Sequence, residues 1–133
     1  MKKDKSQTGF APCPINAALM VLGDRWSLLV VRNLMFARST GFNELQRLGE
    51  GMATNILTNR LAKLMAVGVI EKRPDKKDGR KWIYRLTEKG FDLAPILLEL
   101  SRWGVKHEKG IAPDGMLEAY RSDPKKFLAG LRT

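Results

Sequence analysis

Apolar residues recur at helical spacing over most of this chain and alternate only between Val69 and Leu86. Ile15, Ala18, Leu19 and Leu22 share one face of a helix opened by Pro14 and stopped by Gly23. Trp26 to Phe36 follows, with Asp24 as its cap, and is apolar nearly all round. Such a helix is central and buried. The first helix is then free to cover it or to pack on another subunit. Ala37 to Gly41 reads as a loop. Asn43 to Leu48 reads as a short helix, with Asn43 and Gln46 spaced as a capping box. Gly49-Glu50-Gly51 makes a turn. Ala53 to Gly68 is then an amphipathic helix: Ala53, Leu57, Leu61, Leu64 and Met65 fall in one arc, and Asn55, Asn59, Ala62 and Ala66 lie opposite. Short helix, tight turn and longer helix together spell a helix-turn-helix.

Gly68 ends that helix in the position that favours a left-handed residue. Val69 to Arg73 and Trp82 to Leu86 read as two strands, with Trp82, Tyr84 and Leu86 on one face. Asp78-Gly79 supplies a turn in the 74–81 connection. A hairpin directly after the longer helix is a wing. Thr87 caps a helix that runs to about Lys106, and Pro95 kinks or divides it. Phe91, Leu93, Ala94, Ile96, Leu97, Leu98, Leu100 and Trp103 make its apolar surface too wide for one core face. The surplus points to a subunit interface. Beyond it, Asp123 and Pro124 start another helix carrying Phe127, Leu128 and Leu131. The expected fold is mostly α with a small β-hairpin (α+β): a winged helix-turn-helix with N- and C-terminal dimerisation helices. Residues 1–12 form a flexible arm, 13–106 the winged domain, and 107–133 a C-terminal extension.

Charge sharpens this picture. Lys plus Arg number 24 against 14 Asp plus Glu in 133 residues, a net charge of +10. The excess is uneven: residues 91–133 are nearly neutral, while Lys72 to Arg85 holds seven basic residues and two acidic ones. A basic run projecting beside a candidate reading helix suits phosphate contact. Asn, Thr, Arg and Lys on the helix are side chains that read base edges or hold phosphates.

Other chemistry finds little support. His107 is the only histidine and stands at a helix end among charged residues, and one His with one Cys gives no zinc spacing. There is no GxSxG, Walker A or dinucleotide loop, so neither catalysis nor a cofactor is expected. The single cysteine, Cys13, permits no intramolecular disulfide and fits a reducing cytoplasm. It stands at a helix N-cap, where the dipole favours thiolate. MKKDKSQTGF has no apolar core behind its lysines, so it is no secretory signal. Gly23-Asp24-Arg25 interrupts the most apolar region, and each half is shorter than the roughly 20 residues a bilayer span needs. Trp26, Trp82 and Trp103 read as core and interface packing.

Cys13-Pro14, Gly23-Asp24-Arg25-Trp26, Phe42-Asn43-Glu44-Leu45, Leu57-Thr58-Asn59-Arg60-Leu61, Gly68-Val69-Ile70, Tyr84-Arg85-Leu86-Thr87 and Trp103-Gly104 occur in this order. Over about residues 13–104 the chain resembles HxlR-type winged helix-turn-helix regulators, a bacterial group distantly similar to MarR. The resemblance implies a homodimer on pseudo-palindromic promoter DNA, acting as repressor or activator, with 53–67 as recognition helix and 74–81 as wing tip. Asn55, Thr58 and Asn59 are the expected base or backbone contacts, with Thr54 near the helix start. Arg60 and Lys63 on the flanks meet phosphates, or Arg60 braces the fold through a carboxylate. Lys76, Lys77, Arg80 and Lys81 track phosphate or enter the minor groove. Some members with a Cys-Pro opening sense oxidants through that cysteine, which makes Cys13 a candidate redox sensor. An oxidant or small molecule is thus the expected effector. Ala53 stands where the family often has Ser, so the usual N-cap hydroxyl is missing. The alternative is a winged-helix module that uses the same face for protein partners.

Overall fold

A computed structural model of the chain describes residues 13–38 and 40–132. The expected N-terminal arm, 1–12, lies outside the described residues. Pro14–Leu22 (α1) and Arg25–Ala37 (α2) meet at the Gly23–Asp24 break, bent by 81°. Thr40–Gly41 (β1) leads into Phe42–Leu48 (α3), and Thr54–Ala66 (α4) follows the turn. Ile70–Pro74 (β2) and Trp82–Leu86 (β3) form the hairpin. The chain closes with Glu88–Phe91 (α5), Ala94–His107 (α6), Met116–Ser122 (α7) and Pro124–Leu131 (α8).

The core forms where the apolar arcs converge. Val30, Val31 and Leu34 of α2 meet Leu45 of α3, Leu57, Leu61 and Leu64 of α4, and Tyr84 and Leu86 of β3, all buried. Burying side chains of this size stabilises by about 1.5–3 kcal/mol each. The expected inward arc of α4 is thus buried at Leu57, Leu61 and Leu64 and half-buried at Met65, whereas Ala53, at the N-cap, is exposed. Gly68, at φ 79°, closes α4 as expected: Val69 N donates to Leu64 O at 2.9 Å and Gly68 N to Met65 O at 3.0 Å. This pairing satisfies carbonyls the helix end would leave open, at a φ that costs glycine nothing.

The sheet has three strands in the order β1-β3-β2, all antiparallel. β1 is a departure, because Ala37 to Gly41 reads as a loop. Thr40 pairs with Tyr84 and Gly41 with Ile83. Two residues carry no periodicity, so this strand exists only through its partner. The Asn43–Gln46 capping box does not form either. α3 begins at Phe42, with Gly41 as N-cap and no side-chain cap. Gln46 Nε2 instead donates to Met52 O at 2.6 Å, across the helix-turn-helix turn. Trp82 stands at the outer end of the face it shares with Tyr84 and Leu86: it is 45% exposed, with Lys72 Nζ 4.4 Å from its ring centre. A cation over the indole face is favourable there and keeps the ring at the surface.

Pro95 divides the long helix, as expected, into α5 and α6. The Thr87 hydroxyl accepts from Gly90 N at 3.2 Å and donates to Gly68 O at 2.6 Å, which joins the start of α5 to the end of α4. Asp123 caps α8 through Lys126 N. The extension holds two helices where one is expected. It folds back on its own chain: Leu128 and Leu131 pack against the core, and Arg132 reaches Glu88 at 3.1 Å and Asp92 at 3.5 Å.

Candidate nucleic-acid interface

α4 turns Thr54, Asn55, Thr58, Asn59, Ala62 and Ala66 to solvent, because Leu57, Leu61 and Leu64 hold its other side in the core. Short polar side chains with two alanines make a helix face that a nucleic-acid groove can admit closely. Ala53 is the N-cap and provides no side-chain bond, and Thr54 does not replace it. The first amide groups of α4 are left to an outside acceptor, and a helix N-terminus favours an anion such as phosphate.

The hairpin between β2 and β3 stands beside this helix. Asp75 N donates to Lys81 O at 2.8 Å and Lys81 N to Asp78 O at 2.9 Å, which closes the tip. Lys76, Lys77, Arg80 and Lys81 are all exposed. Among the described residues, Lys76, Lys77 and Lys81 have no ion-pair partner, whereas Arg80 Nε lies 3.1 Å from Asp78 Oδ1. Hydrogen bonds from the Arg80 side chain and amide hold the Asp78 carboxyl below its ordinary value. A pair with the Arg80 side chain 90% exposed is weak and opens easily to a competing phosphate.

Arg60 takes the bracing alternative. Its Nε donates to Asp24 Oδ1 at 2.9 Å, and its Nη1 donates to Asn59 Oδ1. Lys63 Nζ lies 3.8 Å from the other Asp24 oxygen. Asp24 is already the N-cap of α2, accepting from Trp26 N at 3.0 Å, Ser27 N at 2.9 Å and the Ser27 hydroxyl at 2.7 Å. Burial alone would raise this carboxyl. The Ser27 hydroxyl, the Arg60 guanidinium and the Ser27 amide outweigh it and hold Asp24 well below the usual carboxylate range. One side chain thus caps the central helix and anchors the flank of α4. Asp24 reads from the sequence only as a cap; its second task needs the approach of a residue 36 positions later.

The turn of the helix-turn-helix is braced from α2 as well. Arg32 Nη1 donates to Glu50 Oε2 at 2.9 Å, and Asn33 Nδ2 donates to Leu48 O at 3.2 Å. Glu50, at φ 53°, adopts a left-handed conformation uncommon outside glycine, so these contacts offset a local cost.

Away from this face, α1 and α6 carry exposed apolar side chains. Ile15, Leu19 and Met20 of α1 are 71, 55 and 73% exposed, and α1 buries only Leu22. Ile96, Leu100 and Trp103 form an exposed stripe on α6. Cys13 is exposed at the α1 N-cap, and His107 is exposed with its ring 5.3 Å from that of Trp103. No group of acidic, His and Cys side chains among the described residues could hold a metal ion. No single helix among them is long and apolar enough to cross a membrane.

Comparison with known proteins agrees with this geometry. The profile of the HxlR-like helix-turn-helix family matches residues 21–111. The uncharacterised HTH-type transcriptional regulator YdeP of Bacillus subtilis is 32% identical over 93% of this chain and 94% of its own length. Among solved structures, PA1607, a putative transcription factor, is 41% identical, with TM-score 0.67 over 78% of this chain and 70% of its own. The reduced form of the transcriptional regulator YodB from B. subtilis is 30% identical, with TM-score 0.62 over 76% of this chain and all of its own. Helix-turn-helix, wing and sequence together place this chain in the HxlR-like helix-turn-helix family of transcriptional regulators.

Proposed function

We propose that the protein works in the cytoplasm as a homodimer that binds pseudo-palindromic promoter DNA through α4 and the β2–β3 wing. The observation that carries this is the outer face of α4. Thr54, Asn55, Thr58 and Asn59 are exposed along one side of a helix whose other side is fixed in the core. Asn is suited to adenine edges and Thr to either base or backbone. The wing lysines lie beside them, free to neutralise phosphates. Most of the attraction then comes from the wing and most of the discrimination from the helix.

The exposed faces of α1 and α6 support the dimer. A two-fold pair could set two reading helices about 34 Å apart, one DNA turn, in successive major grooves. Sedimentation of Leu19→Glu and Trp103→Glu should give a monomer with intact helical content. Variants that stay dimeric would remove α1 and α6 from the interface.

Binding selection from genomic fragments, followed by titration of the selected and scrambled duplexes at two salt concentrations, tests the DNA reading. Specific binding should exceed scrambled by ~10³-fold or more. Equal affinity for both at either salt would leave a protein-interaction module as the better reading. The effector arm of the same selection adds an oxidant. Cys13 is exposed where its thiol can meet a small thiol or the matching cysteine of a second subunit. Diamide should change the affinity of the native chain and leave Cys13→Ser unchanged; an identical response from both would remove Cys13 as the sensor.

A further inference from the structure

A cleft of about 560 Å³ opens on the outer face of the hairpin, between β2, β3, α5 and the returning α8. Ile70 and Tyr84 turn one side of the two strands to the core. The alternating positions Glu71, Arg73 and Arg85 therefore stand on the other side, and Glu71 is the cross-strand partner of Arg85. Phe91 of α5 and Leu131 of α8 give the cleft an apolar wall, and Arg132 follows at the end of α8. Arg38, at the C-cap of α2, lines it as well. No residue of α4 does.

Four guanidiniums thus meet at a cleft whose lining holds two carboxylates, Glu71 and Glu88. Arg73 and Arg85 share a single oxygen of Glu71. Arg132 takes Glu88 and, just outside the lining, Asp92, with its guanidinium 5.3 Å from the centre of the Phe91 ring. Arg38 is exposed and has no ion-pair partner among the described residues. Positive charge is in excess even with Asp92 counted. The Arg73, Arg85 and Arg132 side chains are 60, 41 and 35% exposed, and ion pairs of that kind are weak and exchange partners readily.

We propose that this cleft docks an acidic peptide segment of another protein, its carboxylates on Arg38, Arg73 and Arg85 and one apolar side chain against Phe91 and Leu131. Charge complementarity carries the choice. Planar guanidiniums, with no lysine in the lining, suit carboxylates held two bonds at a time, and arginine clusters are a recurring reader of acidic segments. A duplex presents a convex row of phosphates and has nothing to place on an apolar wall in a recess closed by α8, so the peptide is favoured over nucleic acid. The partner is not a second copy, because no two of the 14 acidic residues of this chain are adjacent. Nor is it the chain's own MKKDKSQTGF segment, which is basic. Leu131 and Arg132 lie beyond residues 21–111, the span of the family profile, so the cleft is built by the extension and not by the shared winged domain alone. Docking here does not depend on the DNA reading above.

Fluorescence anisotropy of the full chain tests the cleft, with a labelled peptide of Glu and Asp around a central Leu and with its Gln and Asn counterpart. Physiological salt is used, where charges more than about 8 Å away are screened. The acidic peptide should bind once per chain and at least tenfold tighter than its counterpart. Arg38→Glu should weaken it at least tenfold. Lys109→Glu makes the same change of charge away from the cleft and should leave the affinity within twofold. Both residues are exposed and without ion-pair partners among the described residues, so both variants keep the fold, which equal thermal unfolding checks. Ser in place of the central Leu of the peptide should weaken binding several-fold. Backbone amide shifts on binding should gather at 71–73, 85–91 and 131–132. Equal losses from Arg38→Glu and Lys109→Glu would overturn the cleft and leave only general attraction to a basic protein. Equal affinity for the two peptides, shifts centred on α4, or no binding would overturn it too. The selected duplex, added to saturation, should not displace the peptide; displacement would make the cleft part of the DNA footprint and overturn the peptide as its occupant. A chain that binds no duplex but still binds the peptide would retire the DNA reading and leave the docking cleft standing.

Discussion

Asp24→Ala attacks the joint on which the reading helix depends. The α2 cap is lost, at about 1 kcal/mol. The buried Ser27 hydroxyl loses its acceptor, about 1–2 kcal/mol more. Arg60 and Lys63 lose their counter-ion; with Arg60 and Asp24 side chains 24 and 25% exposed, solvent screening leaves this near ~0.5 kcal/mol. The sum is about 3 kcal/mol, against a typical total stability of about 5–15 kcal/mol. Asp24→Asn keeps a capping oxygen and loses only the charge, at about 1 kcal/mol. For a chain of this length these correspond to falls in Tm of about 10 °C and about 4 °C. Both belong at one fixed chain concentration, because dimerisation makes Tm depend on it. pH gives an independent readout. The Asp24 carboxyl is lowered in the folded chain, so its contribution is present above the unfolded value near 3.8 and drains away as pH falls below it. The native chain should therefore lose Tm more steeply than Asp24→Asn as pH is taken below 4. Scanning calorimetry of the three proteins decides the matter. Equal losses from Ala and Asn would assign everything to the charge and refute the cap. A loss under about 1 kcal/mol from Ala would refute the joint itself.

Three further perturbations separate the parts of the interface. Arg80→Ala should weaken binding to every duplex alike and lower the salt slope by about one unit in a fluorescence titration; a loss at one base position alone would contradict a phosphate role. Asn59→Ala should relax specificity by about 1–3 kcal/mol at one position of each half-site in a randomised-site selection, and an unchanged preference would remove Asn59 from the reading set. Gly90→Ala should cost about 2–3 kcal/mol in urea unfolding, because the new Cβ would sit 2.4 Å from Val69 O and 2.9 Å from Leu86 Cδ2. Unaltered stability there would mean that α5 shifts away from the strands at little cost.

Local signals foretold the parts of the fold that local chemistry controls. Asp24, Thr87 and Asp123 cap the helices they precede, and Pro95 divides α5 from α6. The 3–4 spacing of Leu57, Leu61 and Leu64 names the buried side of α4. Contacts distant in the chain decided the rest. β1 is two residues long and owes its state to β3. Gln46 has a sequence partner in Asn43 at capping distance, but spends its amide on Met52 O, because a turn of the chain brings that carbonyl closer. The return of α8 to Glu88 and Asp92 was equally invisible, since Arg132 pairs with residues some forty positions earlier.

The reading face shows the same division, and it changes what the flank of α4 does. Helical spacing places Asn55 and Asn59 outward, and they are outward, as are Thr54 and Thr58. Spacing could not choose between phosphate and carboxylate for Arg60. The choice lies with Asp24, whose cap geometry points a carboxylate at the middle of α4. Arg60 in turn bonds Asn59, so the amide best placed to read a base is oriented by a guanidinium that α2 holds. Arg32 and Asn33 hold the other end of the same turn-and-helix unit, through Glu50 and Leu48. α2 therefore touches the reading helix at its flank and the turn at its start. The wing cations, with no such brace among Lys76, Lys77 and Lys81 in the described residues, remain free to follow a phosphate backbone. On the proposed function, a braced α4 beside a compliant basic hairpin gives a reason for charge and discrimination to reside on different elements: discrimination needs fixed geometry, whereas screened attraction tolerates motion.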